Sequence, residues 1–185
     1  MTIMILGVAL WSAAHLLPSV APGLRGRLMS IGEGPYKGLF ALTVVVSLLL
    51  IIFGWRAAVP SMVYAEPDWG RVVNMAAMLV ALILFVAAFS KTNIKRYLRH
   101  PQLTSVLLWS VGHLLANGDS RSVILFGVMG VWSVIAMLAI NRRDGAWQKP
   151  EAVSIGRDLI PVIVGVVLYG VLSWAHPYIA GVAVH

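Results

Sequence analysis

The sequence predicts an all-α fold: a polytopic membrane helix bundle of about six transmembrane helices, with both termini on the extracytoplasmic side. Three observations predict it. Of 185 residues, 59% are apolar and only 11% are charged, whereas a soluble domain carries about 25% charged residues. The apolar residues gather into six runs, and the basic residues collect in alternate connections between them. A water-soluble domain with this composition would leave wide apolar patches outside. A bilayer instead accepts spanning helices of about 20 mostly apolar residues. Residues 1–185 read as a single transmembrane domain.

The first run lies near Ile3–Leu17. It lacks the basic start of a signal peptide, and His15 and Pro18 stand where small residues would prepare cleavage, so it reads as a retained helix. The others lie near Gly38–Trp55, Val72–Phe89, Pro101–Ala116, Val123–Ile140 and Leu159–Ile179. Backbone polar groups in hydrocarbon must be satisfied within the segment, so each run is expected to be helical. The first and fourth are short, and each carries a histidine. Short spans are completed by flanking aromatic and basic side chains that reach the interface.

The connections set the orientation. The first holds Arg25, Arg27 and Lys37; the third holds Lys91, Lys95, Arg96 and Arg99; the fifth holds Arg142, Arg143, Lys149 and Arg157. These are eleven basic residues, against Arg56, Arg71 and Arg121 on the other side. The positive-inside rule puts the first, third and fifth connections in the cytoplasm. Gly32–Gly38 reads as a tight turn, with Glu33 near Arg25, Arg27 or Arg99. It is not a phosphate loop, because no strand precedes it and no GxxxxGK[ST] pattern is present. The fifth connection, Asn141–Arg157, reads as a solvated linker. No repeat is clear enough to define inverted halves, which weakens a transporter reading.

Composition also excludes chemistry. The chain has no cysteine, so disulfides, cysteine zinc sites, iron–sulfur clusters and thiol catalysis are out. The net charge of +7 would suggest nucleic acid for a soluble protein. Here the cations sit between apolar runs, so the lipid bilayer is the expected partner and nucleic acid is not.

Ionisable groups inside a membrane are functional candidates by default. His15 lies in SAAHLLPS, His113 deep in LLWSVGHLLANGD, His100 at the start of the same run, and His176 near the end of the last. The terminal His185 is expected to be disordered. A neutral imidazole suits haem iron, and a bis-histidine site needs two rings facing one another across the macrocycle. His15 and His113 form the natural pair. At 1.5 Å per residue, His113 lies about 18 Å from the inner end of its helix and His15 about 7 Å from the inner end of its own. His100 is nearer the depth of His15 and is a rival ligand. The plain alternative for any of these is a histidine bonded to a neighbouring helix.

Other residues carry two readings each. His100 and Pro101 also fit a helix start with an interfacial anchor. Asn117, Gly118 and Asp119 fit a helix end followed by an N-cap, or a polar group orienting His113 or touching a ligand. The methionines read as packing rather than haem ligands. Most tryptophans fall near run ends as an aromatic belt, while Trp109 and Trp132 lie deeper, where they would line a pocket.

These blocks resemble the NnrU family of membrane proteins from end to end. The resemblance rests on AHLLPS with His15, on LRGRLMSIGEGPYKGLF around Glu33 and Tyr36, and on RHPQLTSVLLWSVGHLLANGDSRSVILFG around His100, His113 and Asp119. It implies a bacterial inner-membrane protein linked to nitrogen-oxide metabolism. The family is similar in turn to the plant zeta-carotene isomerase, a haem b membrane protein that isomerises a cis double bond in a carotenoid precursor. That similarity implies haem b as cofactor, with His15 and His113 as its iron ligands; His100, Asn117 and Asp119 are expected beside the cofactor or substrate. The plant pattern has a redox-switching cysteine near the second ligand. Ser110 stands there in this chain, so a thiol switch is excluded.

A weaker resemblance connects RHP to membrane methyltransferases that bind S-adenosylmethionine. Leu103 and Ser105 stand where those enzymes have tyrosine and glycine. The expected function is therefore haem-based electron transfer or redox chemistry on a small or lipophilic substrate, with redox or nitrogen-oxide reductase proteins as partners. Carotenoid isomerisation is its narrower version. A non-enzymatic assembly factor and a methyltransferase are the alternatives.

Overall fold

A computed structural model describes residues 1–182. His185, expected to be disordered, lies outside the described residues. The described chain is helical, and its one strand-like feature is an isolated antiparallel bridge between Met62 and Asp119. Its helices are α1 (Thr2–Val20), α2 (Pro22–Met29), α3 (Glu33–Ala57), α4 (Gly70–Phe89), α5 (Ile94–Tyr97), α6 (Pro101–Ala116), α7 (Ser120–Asp144) and α8 (Leu159–Ala180). All six expected runs are helices. The short α2 and α5 were not expected.

Among the described residues, five helices are long and apolar enough to cross a membrane: α1, α3, α4, α7, and α8 with the 3-10 turn Ile155–Asp158 before it. Their apolar side chains face outward. Leu42 and Phe53 on α3 are 61% and 60% exposed, and Val72 on α4 is 70% exposed. In water such faces would aggregate; in lipid they are solvated. α6 has the expected limits but only 16 residues. That is about 24 Å of helix, short of the roughly 30 Å hydrocarbon core.

The chain divides into two compact units. One joins Met1–Glu66 to Asn117–Ala146 and so holds α1, α2, α3 and α7. Its α1 packs along α3 and also meets α7. Gly54 on α3 is buried, and a Cβ there would collide with the Met4 backbone. Two membrane helices gain van der Waals contact from such close approach, because lipid gives them no hydrophobic drive to associate.

The other unit joins Pro67–Ala116 to the segment from Trp147 onward and holds α4, α5, α6 and α8. Here α4 packs along both α6 and α8. The buried positions of α6 are small residues and one proline: Pro101, Ser105, Ser110, Gly112 and Ala116. A Cβ on Gly112 would lie 2.5 Å from Asn74 Oδ1 and 3.1 Å from Met78 Cε, both on α4.

Local chemistry explains the ends. Pro101 is the first residue of α6, and the His100 carbonyl accepts the Thr104 N–H at 2.9 Å. RHP thus starts a helix, with proline where its missing N–H does no harm. The glycine-rich turn is shorter than expected, because α3 begins at Glu33 directly after Gly32 at φ +122°. Glu33 pairs with Lys37 at 2.7 Å, one helical turn on, rather than with Arg25, Arg27 or Arg99.

Gly54→Ala is expected to lower stability by roughly 1–3 kcal/mol, the usual range for overpacking. Gly127→Ala, with open space around the new methyl, is expected to leave stability unchanged. Thermal unfolding of the two purified variants in one detergent checks the contrast.

Candidate functional site

His15 sits on α1, and α1 itself fixes its ring. Its Nδ1 donates to the Trp11 carbonyl at 2.8 Å. A carbonyl only accepts, so Nδ1 carries the proton in this bond and Nε2 is left as the lone-pair nitrogen of the neutral ring. Trp11 stacks on the imidazole with centroids 3.9 Å apart. Phe40 of α3 and Trp132 of α7 meet it edge-on at 5.2 and 5.9 Å, and Trp132 also meets Trp11 edge-on at 4.4 Å. Three helices thus supply an aromatic surround, and Trp132 is buried within it.

His113 repeats the arrangement in the second unit. Its Nδ1 donates to the Trp109 carbonyl at 2.8 Å. The Trp109 ring lies 5.5 Å away, tilted by 56°. His176 of α8 lies across from His113 with centroids 6.5 Å apart and planes 25° from parallel, and its own Nδ1 donates to the Val182 carbonyl at 2.6 Å.

The likeness has its origin in the sequence, in a short repeat that the apolar runs conceal. Leu10–Leu17 reads LWSAAHLL and Leu108–Leu115 reads LWSVGHLL. Tryptophan and histidine stand four apart in both copies, which is the spacing that lets the ring nitrogen reach the carbonyl one turn back. The serine of each copy matters too. Ser12 Oγ and Ser110 Oγ are buried with no hydrogen-bond partner. Other helix hydroxyls satisfy themselves: Ser47, Ser90, Ser133 and Thr43 each donate to a carbonyl three or four residues back. Asn74 Oδ1 and Trp132 Nε1 are likewise buried and unpartnered. Unpaired buried polar atoms are rare, and a ligand is one of the things that satisfies them.

Of the remaining candidates, His100 stands at the start of α6 in the second unit, and Asn117 and Asp119 form a joint of the first. Asp119 caps α7. It accepts from Arg121 N at 2.9 Å, Ser122 N at 3.3 Å, Ser122 Oγ at 2.6 Å and Arg121 Nε at 3.4 Å. Burial pushes its carboxyl up, but these hydrogen bonds outweigh burial and hold it below the usual carboxylate range. The Gly118 carbonyl accepts Val63 N and Tyr64 N, Ser120 N donates to the Ser61 carbonyl, and Tyr64 Oη donates to the Asn117 carbonyl at 3.1 Å. Burial first, then the charges of Glu66 and Asp119, push the Tyr64 hydroxyl up and keep it protonated. Asn117 and Asp119 therefore tie the start of α7 to the extended 61–64 segment.

The donor set bears on which metal group fits. Among the described residues no group of three or more His, Asp or Glu side chains is placed to hold a bare ion. A porphyrin brings four nitrogens of its own and asks the protein only for axial ligands. Two neutral imidazoles, each with its Nδ1 proton held by a carbonyl, are what that group requires. His15 and His113, each within its own unit, have the form that an iron-ligating imidazole takes.

The family model described as NnrU protein matches residues 3–184, nearly the whole chain. No curated protein and no solved structure matches it.

Asp119→Ala is expected to lower stability by about 0.5–2 kcal/mol at neutral pH, as for a lost N-cap. The native carboxyl is the more acidic, so its contribution is full above the ordinary value near pH 4 and is lost as pH falls through the lowered native value. The wild-type and variant unfolding temperatures, followed from pH 7 to pH 3, are expected to converge only below about pH 4.

Proposed function

The chain belongs to the NnrU family, and on that premise we propose that it is a membrane haem b protein in which His15 and His113 would hold the iron. The observation that carries the reading is the twice-used LWSxxHLL segment, with each imidazole held through Nδ1 by a tryptophan carbonyl at 2.8 Å. A ligating histidine almost always gives its second ring N–H to such an acceptor, which fixes the tautomer and makes Nε2 the better donor to iron. Trp11, Phe40 and Trp132 wall His15 with apolar surface and keep water from it. When bound, haem supplies one-electron redox chemistry, which the apolar surround tunes.

The setting is a bacterial inner membrane. α6 is the sixth span, with its shortfall in length met by the flanking Arg99 and His100. The excess of basic residues in alternate connections puts both termini on the extracytoplasmic side. The task is electron transfer or redox chemistry on a small or lipophilic substrate in nitrogen-oxide metabolism, with a nitrogen-oxide reductase protein as its partner. Carotenoid double-bond isomerisation is the narrower form. His100, Asn117 and Asp119 serve the cofactor or substrate from outside the iron.

A reduced-minus-oxidised visible spectrum of the detergent-purified protein, after haem-supplemented expression, tests the reading. Sharp alpha and beta bands are expected in the wild type and are expected to be lost in both His15→Ala and His113→Ala. A flat wild-type spectrum would return both histidines to helix packing and leave an accessory role in front.

A further inference from the structure

A second site lies outside the helices, in the unit that holds α4 and α8. A cleft of about 730 Å³ opens where these helices end, between the turn after α4 and the chain leading into α8. Lys91, Lys95 and Arg157 line it, against a single carboxylate, Glu151. None of the three cations forms an ion pair among the described residues. The nearby Asp158 keeps its negative charge but does not line the cleft, and its oxygens are turned to neutral donors rather than to these cations. Oδ1 accepts from Thr92 Oγ1 and Asn93 N, and Oδ2 accepts from Asn93 Nδ2 at 2.9 Å.

The same bonds make the cleft a built feature. Asn93 Nδ2 donates to the Val153 carbonyl at 2.9 Å, and Val153 N donates back to Asn93 Oδ1 at 3.0 Å. One asparagine thus clamps the 150–157 wall to the turn that carries the lysines. Ordering those long side chains around an anion costs less when the walls are already fixed.

The position selects the ligand. Lys91 follows the end of α4 at Phe89 by two residues, and Arg157 precedes the start of α8 at Leu159 by two. Phe89, Ile155 and Leu159 are apolar and exposed. A cationic cleft bordered by apolar side chains, where two spans leave the hydrocarbon, matches a molecule with a phosphate at one end and acyl chains at the other. We propose that this cleft binds the headgroup of an anionic phospholipid, with the phosphate among Lys91, Lys95 and Arg157. The site is independent of any haem, and its cations lie in the third and fifth connections, where the basic residues concentrate.

Native mass spectrometry of the full-length protein in detergent tests it, with dioctanoyl phosphatidylglycerol as the probe, dioctanoyl phosphatidylcholine as the uncharged comparison and inorganic phosphate as the soluble one. Retention of phosphatidylglycerol alone is expected. Each cation removed is expected to weaken retention about fivefold, so Lys91→Gln with Lys95→Gln and Arg157→Gln loses roughly a hundredfold. Should the triple variant not fold, Lys91→Glu alone, at an exposed position, is expected to lose at least fivefold. Equal loss in Arg25→Gln with Arg27→Gln and Arg142→Gln would show diffuse charge attraction and overturn the site. Equal retention of phosphatidylcholine, or competition by inorganic phosphate as strong as by the lipid, would overturn the assignment to an anionic lipid.

Discussion

Hydrocarbon offers no hydrogen bonds, and most of this protein follows from that. Every backbone N–H and C=O in a spanning segment must find its partner inside the protein, which leaves helices as the form for these apolar runs. The polar side chains obey the same constraint. Ser47, Ser90, Ser133 and Thr43 bond to carbonyls of their own helices, and His15 and His113 do so through one ring nitrogen each. Against that background the unmet atoms stand out. Ser12 and Trp132 accompany His15, Ser110 and Asn74 accompany His113, and Arg96 lies apart in α5. Apart from that arginine, the orphaned groups fall where the two copies of LWSxxHLL fall.

Each unit builds its histidine into a helix packed closely on a longer one. In one, α1 lies along α3, whose Gly54 lets the Met4 backbone in. In the other, α6 lies along α4, with Gly112 against Asn74. Close packing removes the rotamer freedom of the helix, and the Nδ1 bond removes that of the ring. An imidazole so held would have little left to lose on binding a metal. The joint at Asn117–Ser120 has a structural role besides the one proposed for Asn117 and Asp119. It satisfies the 61–64 segment and the first turn of α7 together, and its one charged group, the Asp119 carboxylate, belongs near water.

Much of the fold was legible because apolar runs and charged connections are read at low resolution. All six runs became helices, and Pro101–Ala116 kept both its limits. The errors came from local or long-range detail. Glu33 took Lys37, a partner visible at i+4 that the loop reading of Gly32–Gly38 hid. The pairing of Ser61–Tyr64 with Gly118–Ser120 joins segments far apart in sequence, and no pattern announces it. For the site, His15 and His113 were legible as ionisable groups in apolar runs. The serines and Trp132 were not, because their importance lies in lacking partners. His176 comes beside His113 only through packing within its unit. The LWSxxHLL repeat was there to be read, but it is eight residues long in otherwise unlike surroundings, and a search for matching halves passes over it.

The central claim is that two imidazoles, readied by the same short segment, hold one kind of metal group. Electron paramagnetic resonance of the oxidised protein, purified after haem-supplemented expression, tests it most directly, because the iron spin state reports the axial ligands. Two histidines predict a low-spin ferric signal. A high-spin signal, or no haem signal at all, would contradict the account.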